Sequence, residues 1–279
     1  MQTIRSKLSR AWRAGGFFLL AAATAAMAAQ SGDFTYTANG GAATITGYTG
    51  TGGAVVIPSD LDGNSVTRIG DSAFFDCNEV TSVTIPDSVT YVGSYAFDSC
   101  DGLVSVVIGD QVLYLGNYVF RGCGSLESVT IPDQVTYVGN YAFVSCGNLG
   151  AVTIGDRVTS LGSFAFDGCS SLTTITVGAN NLAYSSVNGV LFNKNQSILL
   201  NCPAGTAGSY TVPDGVGSLG GYAFADCSGL GSVTIPASVT LVCGYAFAEC
   251  TGLNGVYFEG NVPANGASVF YKDTTTTVF

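Results

Sequence analysis

A 23-residue period runs through this chain and limits what it can fold into. Its clearest copy is Cys77 to Cys100, with Val80, Val83, Ile85, Pro86, Val89, Val92, Gly93, Ala96 and Phe97 between. Written generally the copy is C-x2-L-x2-V-x-I-P-x2-V-x2-I-G-x2-A-F-x2-C. The phenylalanine position reads Phe74, Phe97, Phe120, Phe143 and Phe166, then resumes at Phe224 and Phe247. Cysteine follows in step at Cys77, Cys100, Cys123, Cys146, Cys169, Cys227 and Cys250. A repeat of this length is one coil of a solenoid. A single coil cannot bury its own apolar face, but stacked coils bury it against one another.

Within a copy, apolar residues alternate with Ser, Thr or Gly. Val83/Ile85, Val106/Ile108, Val129/Ile131, Val152/Ile154, Ile175/Val177, Val233/Ile235 and Val256/Phe258 fall on one side. That alternation predicts a half-buried strand. Pro86, Pro132 and Pro236 end it, because proline has no N–H for the ladder. Val89 and Val92 then predict a second short extended piece before a glycine turn. Tyr-Ala-Phe-x-x-Cys is too short for a long helix and predicts a single helical or 3₁₀ turn. The expected fold is a leucine-rich-repeat-type solenoid, β-dominant, with a parallel strand ladder and short helical or 3₁₀ turns. A hydrophobic share of 47% with only 10% charged residues suits its continuous core.

The run from Ile85 to Cys100, Ile-Pro-Asp-Ser-Val-Thr-Tyr-Val-Gly-Ser-Tyr-Ala-Phe-Asp-Ser-Cys, resembles the BspA-like leucine-rich-repeat family. The resemblance extends from about Phe34 to the C-terminus. It departs at Cys243, which takes the usual glycine position, and where Gly-Asp replaces Pro-Asp. The resemblance implies a right-handed solenoid on a secreted or cell-surface protein, associated with adhesion and protein contact rather than with one reaction.

Residues 1–29 carry Arg5, Lys7, Arg10 and Arg13, then an apolar run, then Ala26-Met27-Ala28. This is the pattern of a signal peptide cleaved near Ala29, of a form consistent with bacterial export. The remaining chain has five basic residues against 19 acidic ones, a net charge of about −14 that disfavours nucleic acid and anionic membrane as partners. After cleavage no membrane-spanning segment is expected. Residues 30–64 read as a β-rich N-terminal cap, and residues 65–259 as the repeat solenoid. The interval from Phe166 to Phe224 is longer than two periods. Two apolar runs there, Gly189–Phe192 and Ser197–Leu200, flank a polar turn and predict a hairpin-bearing long repeat over about 179–215. Residues 260–279 read as a C-terminal cap or tail.

Chemistry has few places to reside. The chain has no histidine, which removes Ser-His-Asp and Cys-His dyads. No nucleotide-binding or calcium-binding motif is present, and the expectation is a non-enzymatic protein without a cofactor or metal. The in-phase cysteines read first as a column of buried free thiols. Rung-to-rung disulfides are the alternative, and Cys202 and Cys243 lie off the column. Asp87, Asp110, Asp133, Asp156 and Asp214 recur after the strand, where Asp serves turn chemistry; a weak Ca²⁺ row is the other reading. Ser82/Thr84, Ser128/Thr130, Thr174/Thr176 and Ser232/Thr234 form an outward row. It reads as a solvated sheet face before it reads as a lattice for glycan or ice.

Two aromatic columns are the candidate partner-binding residues. Tyr91, Tyr114 and Tyr137 share one phase; Tyr95, Tyr118 and Tyr141 share another, continued by Phe164, Tyr222 and Tyr245. Packing is the plain reading of both, and the second column is expected to be half-buried. The sharper reading is a binding stripe, since Tyr offers a rigid apolar surface with a polar tip. The expected function is recognition or adhesion toward an extracellular protein or glycan. The alternative is a passive structural envelope protein with no specific ligand.

Overall fold

The computed structural model describes residues 28–273 and 276–279. The segment read as a signal peptide therefore lies, but for Ala28 and Ala29, outside the described residues.

Each repeat forms one coil with two strands. The first strands stack as a six-stranded parallel ladder from Gly53–Val56 through Val80–Thr84, Ser105–Val107, Ser128–Ile131 and Ala151–Ile154 to Thr174–Val177. Val129 pairs with Val152 and Ile131 with Ile154, so the register equals the sequence period. The second strands are only two residues long: Tyr91–Val92, Tyr114–Leu115, Tyr137–Val138 and Ser160–Leu161. They extend a sheet that begins in the antiparallel strands Ala28–Ser31, Phe34–Asn39 and Ala42–Tyr48. That antiparallel group pairs through Ala42–Tyr48 with Asn64–Ile69 and so covers the edge of this sheet.

The apolar alternation is buried as its period requires. Val83, Ile85, Val129, Ile131, Val152 and Ile154 are each at most 3% exposed. Behind them the phenylalanines stack from Phe74 to Phe166, with ring centroids 4.8 to 5.7 Å apart.

The Tyr-Ala-Phe segment makes single i→i+3 turns, the Asp98 N–H donating to Tyr95 and the Cys100 N–H to Phe97 at 3.2 and 3.4 Å, but left-handed residues keep them from joining into a helix. Tyr95 and Ser99 take left-handed backbone angles (φ 58° and 60°), as do Tyr118 and Gly122, and Tyr141 and Ser145. The reason is where the donors go. The N–H groups of Tyr95, Phe97 and Ser99 donate to the carbonyls of Asn117, Val119 and Arg121 on the next coil, at 2.9, 2.8 and 2.7 Å. A helix would turn those donors along its own axis and leave the coil-to-coil ladder unmade. A left-handed angle at a non-glycine residue costs about 1–2 kcal/mol. The ladder bonds and the ring stacking described below offset that cost.

Neighbouring coils approach closely at the glycine after the second strand. A Cβ on Gly116 would lie 2.5 Å from the carbonyl carbon of Gly93 and from the nitrogen of Ser94. Only hydrogen fits there.

The cysteine column is a row of free thiols. Sγ of Cys100 donates to the Phe74 carbonyl at 3.0 Å, and Cys123, Cys146 and Cys169 donate to Phe97, Phe120 and Phe143 at 3.1 to 3.2 Å. Each thiol thus satisfies the phenylalanine carbonyl of the preceding coil. Burial pushes the Cys100 and Cys250 thiols up to about 12, which keeps them protonated and able to donate. Cys77 and Cys243 are only half-buried. In native protein at pH 8, iodoacetamide is expected to modify those two, with the remaining seven reacting only in denaturant. Mass spectrometry of alkylated peptides reads this directly; rapid labelling of Cys123 in the folded state would contradict the packing.

Both ladders stop at the long repeat. The first restarts at Gly208–Thr211 and runs through Leu230–Ile235 and Gly255–Phe258. The second gives way to an antiparallel meander, Tyr184–Val187, Val190–Asn193 and Ile198–Asn201, before the short parallel strands resume at Ser218–Leu219. Buried side chains accordingly form two clusters, one up to Ile175 and Leu191, the other from Val190 onward. Beyond Phe258 the coil pattern continues. Phe270 stacks on Phe247 at 5.5 Å, and Thr277–Val278 pairs in parallel with Gly255–Val256.

Candidate functional site

The two tyrosine columns lie on different parts of each coil. Tyr91, Tyr114 and Tyr137 each open a second strand whose other residue, Val92, Leu115 or Val138, points inward and is buried. Period-2 alternation therefore turns the tyrosines outward, where they are half-buried. Their register places them directly over one another. Both successive ring pairs stack at 4.7 Å and 2°. Arg68 closes one end, its guanidinium carbon 3.8 Å from the Tyr91 ring centroid. At the other end the ladder continues to Ser160, which carries no ring. Burial first, then the neighbouring phenols, pushes the Tyr114 hydroxyl above its ordinary value, so it stays a neutral donor.

Tyr95, Tyr118 and Tyr141 occupy the left-handed position of the turn, which swings their rings outward. Tyr95 is 36% exposed, and the other two are half-buried. They stack at 4.8 and 4.9 Å. Arg121 lies near this column, 5.6 Å from the Tyr95 ring and 5.4 Å from the Tyr118 ring. It also clamps the fully buried Asp98 through Nε at 2.8 Å and Nη2 at 2.6 Å. The sequence period gave both columns; the left-handed backbone under the second was not visible, because tyrosine is not a residue that signals it.

Two of the recurring aspartates bond from one coil to the next rather than within their own turn. Asp87 Oδ1 accepts the N–H of Asp110 at 2.7 Å, and Asp133 Oδ1 accepts that of Asp156 at 3.0 Å. Among the described residues no group of three or more His, Cys, Asp or Glu side chains could hold a metal ion. The Ser/Thr row is broken on its face by Val107, which is 59% exposed.

A cavity of about 420 Å³ lies where the second ladder stops. One side is the last regular coil, from Leu161 to Asp167. The other is Gly221, Tyr222 and Ala225, with Leu200–Cys202 as the floor. Tyr184 spans the end of the ladder, its hydroxyl accepting the Leu161 N–H at 3.1 Å. Cys202 lies against Cys227, not against Cys243. The Phe164 and Tyr222 rings meet edge to face at 69°, where successive tyrosines on either side stack.

Asp167 borders this cavity and shares a hydrogen bond with Asp226. Burial first, then the Asp226 charge, pushes its carboxyl up to about 6, with Glu249 adding to the effect. Lys272 answers Glu249 at 2.8 Å. Between about pH 4 and 6 the folded chain holds a proton that the unfolded chain releases, so stability falls as pH rises through that window. Asp167→Asn is expected to stabilise the protein at pH 7.5 by on the order of 1 kcal/mol after solvent screening, with the gain vanishing by about pH 4. Thermal melts of both proteins across that range check it; a gain that persists at pH 4 would assign the effect to something other than the carboxyl. Sequence spacing could have hinted at this pair only through the broken Phe166–Phe224 interval.

Among the described residues no helix is long and apolar enough to cross a membrane. No curated protein matches the sequence. Solved structures do. A leucine-rich repeat protein from T. pallidum is 25% identical, with 79% of this chain and 88% of that one covered and a TM-score of 0.55. One from Eubacterium ventriosum is 27% identical, with 84% and 73% covered and a TM-score of 0.60. The pneumococcal vaccine antigen PcpA, at 19% identity, 88% and 86% coverage and a TM-score of 0.61, shares the fold. The family model for the BspA type leucine rich repeat region matches six copies, over residues 67–199 and 197–279. With the same period carried through strand ladder, turn and core, this chain belongs to the BspA-type leucine-rich-repeat family.

Proposed function

We propose that this protein is a non-enzymatic recognition scaffold, exported and displayed at the bacterial cell surface, that binds an extracellular protein or glycan through its extended solenoid face. The observation that carries this reading is the stacked tyrosine stripe. Three parallel rings, half-exposed and closed by Arg68, form a rigid aromatic surface with polar tips. Such a surface loses little side-chain entropy on binding, because stacking already fixes the rings. The basic-then-apolar segment at residues 1–29 supports export. The acidic surface argues against nucleic acid and anionic membrane as partners.

The test is binding to a panel of extracellular-matrix proteins and glycans at low and high salt. The triple variant Tyr91→Ala, Tyr114→Ala, Tyr137→Ala should weaken the strongest interaction by more than about thirtyfold while the chain stays folded, since buried aromatic anchors are worth about 2 kcal/mol or more each. Unchanged affinity in the triple variant would remove the stripe from the interface. An absence of saturable binding from the folded chain would favour a passive structural role.

A further inference from the structure

In every regular coil three turn donors are met by the next coil. Tyr118, Phe120 and Gly122 donate to the carbonyls of Asn140, Ala142 and Val144. Tyr141, Phe143 and Ser145 donate to those of Ser163, Ala165 and Asp167. The coil that borders the cavity breaks this rule. Gly168 donates to the Asp226 carboxylate at 3.3 Å. The N–H groups of Phe164 and Phe166 donate to no group among the described residues, and both residues line the cavity. On the opposite side Ala223 receives the Cys202 N–H at 2.6 Å, so this backbone bonds to the coil of Ala223 and not to that of Phe164 and Phe166. Asn201 lines the same cavity, and its buried Oδ1 has no hydrogen-bond partner.

From this geometry we infer that the cavity is a binding site for a short peptide segment with small side chains, followed by a basic residue. The inference is independent of the tyrosine stripe. The two donors sit two residues apart. Elsewhere in the protein the same pair is met by carbonyls two residues apart in the turn of the next coil, with a left-handed residue such as Tyr118 or Tyr141 between them. A peptide also carries N–H groups, which answer the Asn201 oxygen. Buried polar groups without partners are costly, so a ligand that satisfies them gains specificity as well as affinity. The volume lies in the range that holds small ligands rather than folded domains. Asp167 and Asp226 stand at the Gly168 end, so a parallel peptide places its later residues beside two carboxyls, and a lysine or arginine there is favoured.

The probe is acetyl-Gly-Ala-Gly-Lys-amide, titrated into the ¹⁵N-labelled chain at pH 7.5, with a norleucine analogue replacing the lysine. The expected result is saturable downfield movement of the Phe164 and Phe166 amide protons, with the lysine peptide about tenfold tighter than the analogue. The preference should disappear in Asp167→Asn and decline as pH falls through about 6, where Asp167 takes up a proton. Ala225→Phe, which fills the cavity, should abolish the shifts in a chain whose melt is otherwise unchanged. Should Ala225→Phe fail to fold, Asp167→Asn still reads the charge preference. Unmoved Phe164 and Phe166 amides at millimolar peptide would overturn the proposal, as would saturation by an oligosaccharide but not by the peptide. Failure here leaves the tyrosine reading intact, because the triple tyrosine variant does not touch these amides.

Discussion

Phe120→Ala is expected to cost about 4 kcal/mol. Its ring is fully buried between Phe97, at 5.2 Å and 8°, and Phe143, at 5.4 Å and 11°. The transfer of a large apolar side chain is lost first. The space left behind cannot then close, because the flanking coils are held apart at one strand spacing by backbone bonds on both sides, so a cavity penalty adds to the transfer loss. Phe270→Ala is the control. That ring stacks on Phe247 alone and is half-buried at the end of the solenoid, so its loss should cost distinctly less. Urea denaturation of both variants measures the difference. Equal costs at the two positions would show that coil-to-coil stacking does not set the stability of this core.

Gly116→Ala is expected to be nearly as severe, for the opposite reason. Nothing is removed; a methyl group is driven to within 2.5 Å of the Gly93 and Ser94 backbone. A flexible side chain could move aside, but these atoms belong to a coil bonded to its neighbours on both sides. The Gly116 N–H itself donates to the Val92 carbonyl at 2.9 Å, which pins the approach. The cost should reach the upper end of overpacking, about 3 kcal/mol, or on the order of 10 °C in melting temperature. The same change at Gly124, where an added Cβ meets only one side-chain oxygen at 4.0 Å, should be tolerated. A melt unaltered by Gly116→Ala would mean that the coils can separate locally without loss.

What was legible in the sequence follows from periodicity. Because each coil contacts mainly the next, a residue 23 positions away is a spatial neighbour, and Val129 over Val152 or Tyr91 over Tyr114 could be read off directly. The turn was less legible. Tyr-Ala-Phe-x-x-Cys suggests a helical turn by length, and nothing in its local preference announces left-handed angles at Tyr95 or Tyr118; the coil-to-coil ladder imposes them. Residues 260–279, read as a cap or tail, carry Phe270 one period after Phe247, and its ring stacks there. The candidate site was legible only in part. Both tyrosine columns are periodic and therefore visible. The cavity is defined by a failure of the period, and its partners Asp167 and Asp226, or Phe166 and Asn201, have no fixed spacing that sequence reasoning could use.

The interruption also divides the molecule energetically. In a solenoid cooperativity passes from coil to coil through ladder bonds and shared burial. Neither strand ladder is continuous across residues 178–207, and the buried side chains separate into two clusters there. The long repeat is thus the weakest link for transmitting order. Opening that begins at either end is expected to halt at this boundary, and the two halves to exchange their amide hydrogens as separate units, each with its own free energy of opening.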